Sequence, residues 1–247
     1  MSFSDDEVER YARHLVLREI GGPGQQALKA ARVLIVGAGG LGAPAALYLA
    51  AAGGGRLGLV DPDHVALSNL QRQVLYTSAD LGRGKTAAAA ERLTALNPNV
   101  EIRTYTVALT AQNARELMAD YDLVLDGTDN FEVRFAVADA CVALGKPLVS
   151  GAIGRWTGQV GVFERAPCYR CLTPEAPPDA ETCAAVGVLG ALAGVIGSIM
   201  ALEGVKYIAR AGKPLVGRLL IYDALEGETR TVRVGADPAC PTCGGTQ

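Results

Sequence analysis

The sequence predicts an α/β fold built on a doubly wound sheet, parallel through its first half and extended by antiparallel strands toward the C-terminus. Three observations predict it. Short apolar runs alternate with helical patterns from Val33 onward, and a glycine-rich turn, Gly37-Ala38-Gly39-Gly40-Leu41-Gly42, joins the first run to the first of those helices. Beyond Gly151 the pattern changes to the alternation Gln159-Val160-Gly161-Val162-Phe163, which reads as an antiparallel strand.

Taken in order, Asp5 to Glu19 reads as an N-terminal helix, broken by Gly21-Gly22-Pro23-Gly24 before a short helical segment through Ala30. Strands are expected at Val33 to Val36, Leu57 to Val60, Ile102 to Val107, Leu123 to Leu125 and Leu148 to Val149. Helices are expected between them at Leu41 to Ala52, Lys85 to Leu96, Gln112 to Met118 and Phe131 to Leu144. The rest comprises a Cys/Pro-containing loop, a long glycine-rich helix and strands at Leu219 to Tyr222 and Thr229 to Val234. Residues Thr173 to Thr182 carry three prolines and three acids with no apolar anchor, and are expected to form a mobile loop. No composition break marks an independent second domain. We expect one domain over 1–247, with an N-terminal helical arm (1–30), a half that carries the glycine turn (31–165) and a half that carries the long helix and the last strands (166–247).

Composition narrows the classes of function. The chain has 247 residues, 49% of them hydrophobic, enough for a sizeable core. Its net charge of −3, with lysines and arginines scattered, offers no basic stripe for nucleic acid. Asp5, Asp6, Glu7 and Glu9 crowd the start, where a secretory signal would need a basic and then an apolar segment, so a cytoplasmic location is expected. The uncharged stretch Val186 to Leu202 is shorter than the roughly 20 apolar residues that span a membrane. It also contains Gly187, Gly190, Gly194, Gly197 and Ser198, so a tightly packed core or subunit-contact helix is expected, not a membrane span.

The glycine turn follows an apolar strand and opens a helix, which presents backbone N–H groups and the helix dipole to a phosphate. Asp61 closes the second strand, where an acid suits a ribose hydroxyl. Such a Rossmann-like fingerprint serves dinucleotides more often than ATP, and it also occurs as a plain tight connection. Arg72, within Leu67-Ser68-Asn69-Leu70-Gln71-Arg72-Gln73, and Lys85 add two cations beyond the acid, which suits a triphosphate better. Of six cysteines, four form two Cys-x-x-Cys pairs, Cys168/Cys171 and Cys240/Cys243, able to close a tetrathiolate zinc shell. A redox pair and buried free thiols are the alternatives. Cys141 sits in an apolar helical pattern and reads as a small buried hydrophobe. Cys183, before the long helix, has the position of a reactive thiol. His14 and His64, the only two histidines, are assigned no catalytic role.

With the Gly37 turn, Asp61, the Leu67 to Gln73 segment, Lys85, Leu125-Asp126-Gly127-Thr128-Asp129-Asn130 and both cysteine pairs assembled, the chain resembles the ThiF/MoeB/HesA family of ubiquitin-activating-type adenylyltransferases. The likeness runs from Arg10-Tyr11-Ala12-Arg13 through Cys243. It implies ATP-dependent adenylation of the C-terminal glycine carboxylate of a ubiquitin-like sulfur carrier protein, ThiS- or MoaD-like, in thiamine or molybdopterin biosynthesis. It further implies that Gly37, Gly39, Gly40 and Gly42 hold the adenosine and phosphates and that Asp61 holds the ribose. Asn69, Arg72 and Lys85 would face the phosphates, Asp129 would bind Mg²⁺, and Arg13 would reach the neighbouring site of a homodimer. Cys183 matches a cysteine that in the thiamine branch links to the carrier, with sulfur coming from a separate donor. The competing readings are an NAD-dependent oxidoreductase and a family member that adenylates a peptide or other carboxylate.

Overall fold

The structure, a computed structural model, describes residues 3–177 and 187–244. A single eight-stranded sheet runs through them in the order β3-β2-β1-β4-β5-β6-β7-β8. The strands are β1 (Arg32–Val36), β2 (Arg56–Val60), β3 (Glu101–Tyr105), β4 (Leu123–Asp126), β5 (Leu148–Gly154), β6 (Thr157–Phe163), β7 (Arg218–Asp223) and β8 (Glu228–Arg233). Pairing is parallel from β3 across to β5 and antiparallel from β5 to β8. Gly151, after which the pattern changes in the sequence, lies inside β5, which extends well beyond the strand expected at Leu148 to Val149. β5 continues to Gly154 and turns through Arg155-Trp156 into β6. β3 ends two residues sooner than expected, its burial already low along the strand.

Strand alternation assigns side chains to two separate layers. Val33, Ile35, Leu57, Leu59, Leu123, Leu125 and Val149 share one core with helices α4 (Gly42–Ala51), α5 (Lys85–Leu96) and α9 (Gly190–Ala209). Leu34, Val36, Val124 and Leu148 share the other with α6 (Ala114–Met118), α7 (Phe131–Leu144) and α8 (Tyr169–Leu172). Between β1 and β4 the chain order reverses, so the crevice at their carboxyl ends is the topological switch point where ligands bind in such sheets.

The N-terminal arm departs from the expected single helix. It consists of α1 (Asp5–Arg10), closed at its start by a Ser4/Glu7 capping box, and α2 (Ala12–Leu15). Tyr11 interrupts them: it is buried, its hydroxyl accepts a hydrogen bond from Asn97 Nδ2 at 2.8 Å, and its ring occupies the space beside Gly53. Gly21-Gly22-Pro23-Gly24 is not a break. It forms the first turn of α3 (Gly21–Ala30), where proline's missing N–H costs no intrahelical bond. Helix α9 has the length and hydropathy of a membrane crossing, but Leu192, Ala193, Ile196, Met200 and Ala201 are buried against the sheet and α4. Its glycines allow that approach; a Cβ at Gly197 would stand 2.4 Å from Pro44 Cγ and 2.5 Å from the Leu41 carbonyl oxygen. Cys183 and the second half of the acidic loop lie outside the described residues.

Candidate active site

A cavity of about 540 Å³ opens at the switch point, and most of the residues singled out from sequence line it: Gly37, Gly39, Gly40, Asp61, Asn69, Arg72, Lys85 and Asp129. Gly42 stands behind the turn, not in the wall. It is buried, and a Cβ there would meet the Gly37 carbonyl oxygen at 1.8 Å, so only glycine lets the helix begin this close. Gly37 itself has φ +86° and donates its N–H to the Val60 carbonyl at 2.8 Å, tying the turn to β2.

The next residue is held on both sides. Ala38 N–H donates to Asp61 Oδ2 at 2.8 Å, and the Ala38 carbonyl accepts from the Tyr76 hydroxyl at 2.8 Å. Burial, and after it the Asp61 and Asp80 carboxylates, push the Tyr76 hydroxyl well above the ordinary tyrosine range, so it remains a protonated donor. Asp61 is buried and its other oxygen accepts from Asp63 N–H at 2.9 Å. Each carboxylate oxygen retains a lone pair for a further donor, which is what a ribose hydroxyl would require.

Lys85 opens α5 from a buried position. Its Nζ lies 2.9 Å from Asp63 Oδ2 and 3.9 Å from Asp61 Oδ2, while its backbone N–H donates to the Asp63 carbonyl. Asn69 ends the short 3₁₀ turn Leu67–Asn69, and Arg72 follows it, donating to the Ser68 carbonyl at 3.0 Å. A Cβ on Gly40 would stand 3.6 Å from Arg72 Cδ, so the arginine stem crosses directly over the glycine turn. The opposite lip is the β4–α7 connection. Asn130 caps α7 by accepting the Val133 N–H, which leaves the exposed Asp129 carboxylate with no hydrogen bond among the described residues.

Several contributors escaped the sequence reading. Asp126 is fully buried; its oxygens accept from Thr128 N–H, Thr128 Oγ1 and Ser150 Oγ. Arg134 stands 3.6 Å from it and donates to the Thr128 and Gly151 carbonyls, shaping the Asp129 loop from beneath. Arg134 lies one helical turn beyond the capping Asn130, a spacing visible in the sequence. The buried Gln73, beside Gly39, leaves Oε1 without a hydrogen-bond partner among the described residues. Tyr169, between two of the paired cysteines, also lines the cavity. Arg13 does not line the cavity of its own chain; it is exposed on α2.

The two Cys-x-x-Cys turns, 72 residues apart in sequence, converge. Cys168 and Cys240 Sγ are 3.6 Å apart, Cys171 and Cys243 Sγ 3.4 Å, and all four sulfurs lie within 4.8 Å of one another. A zinc tetrahedron with arms of about 2.3 Å needs sulfurs about 3.8 Å apart, so this donor set fits a closed structural ion. Cys141 is buried in α7, and desolvation pushes its thiol far above the usual range, in keeping with a packing role.

The ThiF family matches residues 11–242. The sulfur carrier protein adenylyltransferase of Thermus thermophilus is 51% identical over 253 aligned positions, which cover 99% of this chain and 93% of that protein. A probable adenylyltransferase/sulfurtransferase, MoeZ of Mycobacterium tuberculosis, is 49% identical over 97% of this chain, but the alignment spans 63% of MoeZ. Among solved structures, the crystal structure of E. coli MccB with MccA-N7isoASN shares the fold at a TM-score of 0.85 and 22% identity, covering 98% of this chain and 76% of that one. The sheet, the cavity at its switch point and the match over nearly the whole length agree: the chain belongs to the ThiF family.

Proposed function

We propose that the protein is an adenylyltransferase that uses ATP to activate the C-terminal glycine carboxylate of a ubiquitin-like sulfur carrier protein. The observation that carries this reading is the convergence, in one cavity, of the glycine-turn amides, Arg72, Lys85 and an otherwise unbonded Asp129. The Thermus thermophilus relative, named for this activity, supports it. A carboxylate approaching a triphosphate meets strong like-charge repulsion, so the site must supply cations and oriented N–H groups. It needs no general base, because the attacking carboxylate is already ionised. A carboxylate oxygen forms a bond to the α-phosphorus, the bond from that phosphorus to the bridging oxygen breaks, and pyrophosphate leaves with the electron pair. Arg72 and Lys85 draw charge toward the leaving group, and the glycine turn fixes the phosphates in line. Asp129 would hold Mg²⁺, which neutralises phosphate charge when bound.

In this reading the chain works as one unit over 1–247, its arm (1–30) serving a partner subunit of a homodimer. Arg13, exposed and outside its own cavity, is the group offered across that interface. Sulfur reaches the acyl-adenylate from a separate donor, with Cys183 a candidate relay, and the pathway is thiamine or molybdopterin biosynthesis in the cytoplasm. An NAD-dependent oxidoreductase has no use for Arg72, Lys85 and Asp129 together. Carrier-dependent ATP–pyrophosphate exchange is the test. Lys85→Ala and Asp129→Ala are expected to abolish it with the fold intact, and tight NAD binding without ATP binding would refute the reading. Cys183→Ala is expected to retain exchange and lose sulfur transfer to the carrier; full retention of transfer would remove the relay.

A further inference from the structure

The four-cysteine centre and the cavity are joined by one face of α7. Asp139 accepts from Arg170 Nε at 3.1 Å and Nη2 at 2.9 Å, and from Thr242 Oγ1 at 2.7 Å. Arg170 lies inside the first Cys-x-x-Cys turn and Thr242 inside the second, so a single carboxylate grips both. One helical turn back, the Arg170 guanidinium lies over the Phe135 ring, 3.9 Å from its centroid. A further turn back, Phe131 packs on Phe135 with centroids 5.7 Å apart and itself lines the cavity. Phe131, Phe135 and Asp139 thus form a stripe at i, i+4 and i+8, running from the cavity to the cysteines. Tyr169, the neighbour of Arg170, closes the loop from the other side. Its ring packs on Phe135 and Phe163, the Arg134 guanidinium lies 5.7 Å from its centroid, and it stands in the cavity wall.

In the wall formed by Phe131, Tyr169, Thr173 and Pro177 the nearby cation, Arg134, is buried and engaged by Asp126 and the Thr128 and Gly151 carbonyls, whereas the glycine turn, Arg72 and Lys85 form the side suited to phosphates. This mostly apolar wall is therefore the one left for the acceptor's tail, an extended peptide ending in a carboxylate. We propose that Asp139 is a positioning residue: by holding Arg170 and Thr242 on α7 it braces the metal centre and fixes Tyr169 in the acceptor wall. The proposal rests on the adenylation reading for the identity of the acceptor.

The test uses zinc-loaded protein with Asp139→Ala and the conservative Asp139→Asn. Asp139 is partly exposed, and the change removes no core side chain. In Asp139→Ala, zinc release to a chromogenic chelator is expected to be about tenfold faster, the loss of a charged hydrogen-bond pair. The KM for the carrier should rise by a similar factor, with kcat and the KM for ATP within about twofold. Asn, which keeps an acceptor for Thr242, should fall between. Fluorine NMR of 3-fluorotyrosine protein, with the Tyr169 line assigned through Tyr169→Phe, should show that line move in Asp139→Ala while the exposed Tyr48 line stays. Unchanged zinc release, or faster release with Tyr169 and the carrier KM unmoved, would overturn the proposal. If the wild-type protein shows no carrier-dependent exchange, the adenylation reading fails instead, and zinc release with the fluorine spectrum still decides the coupling.

Discussion

Ala38 brings only a methyl group to the glycine turn, yet its two flanking peptides are each fixed by a side chain from elsewhere in the chain. A planar trans peptide points C=O and N–H in opposite directions, so the Tyr76 bond to the Ala38 carbonyl also aims the Gly39 N–H. Removing that hydroxyl in Tyr76→Phe is expected to raise the KM for ATP about five- to tenfold, the order of one hydrogen bond, and to leave the carrier KM unchanged. Pyrophosphate exchange against ATP concentration measures it, and an unchanged ATP KM would show the turn to be self-supporting. Asp80 does similar work on the loop between Arg72 and Lys85. The Thr77 backbone N–H foremost, then the Thr77 hydroxyl, Arg92 and Arg83, outweigh burial and hold its carboxyl below the ordinary 3.8. A folded-state pKa below the unfolded one contributes stability that is complete above the unfolded value and is lost as pH falls through the folded value. Thermal unfolding from pH 6 to 2 should therefore show a shallower acid loss in Asp80→Asn than in the wild type, and parallel curves would contradict this. Tyr76, Asp80 and the partners of Asp126 were not legible in the sequence because those partners are set by the packed loops. The glycines and Asp61 were legible because a strand–turn–helix places them by local geometry, whereas Arg72 and Lys85 were read from the loop and helix start that resemble the family's; all of these but Gly42 line the cavity.

Among the elements, the expected strands and helices of the parallel half recur with bounds shifted by a few residues, since their periodicity is that of a sheet buried on both faces. Of the elements that differ from expectation, two have tertiary causes. Tyr11 breaks the arm helix because its ring and hydroxyl are drawn beneath Gly53 and Asn97, and β5 runs past its expected end because β6 pairs with it through Gly154. The cysteine turns were readable from spacing, but their shared anchor on α7 was not, since nothing in a Cys-x-x-Cys pair names a distant aspartate. Cys171→Ser and Cys243→Ser are each expected to lower bound zinc and the thermal midpoint together, because a closed thiolate shell contributes directly to folding. Metal analysis alongside calorimetry checks this. A variant that keeps its midpoint after losing the ion would separate the centre from stability.

For the molecule as a whole, Tyr11 anchors the arm to its own chain while Arg13, two residues on, points to no group of that chain's cavity. If Arg13 completes a neighbour's site, mixing inactive Arg13→Ala with inactive Lys85→Ala should restore exchange, because a hybrid dimer holds one intact composite site. No recovery after verified subunit exchange would place Arg13 outside the neighbour's chemistry. The two borders of the sheet bear on how such a dimer forms. β3 presents Glu101 and Arg103, and β8, exposed along its entire length, presents Glu228, Arg230 and Arg233. Adding another chain's strand to either border would strip water from these charges, which disfavours open-ended stacking of sheets. The contact of the proposed homodimer would then fall on the helical layer, where Tyr48 of α4 and Val195 and Leu202 of α9 are exposed. A two-fold contact through such a patch would close on itself, so the proposed assembly would stop at a pair and not grow into a filament.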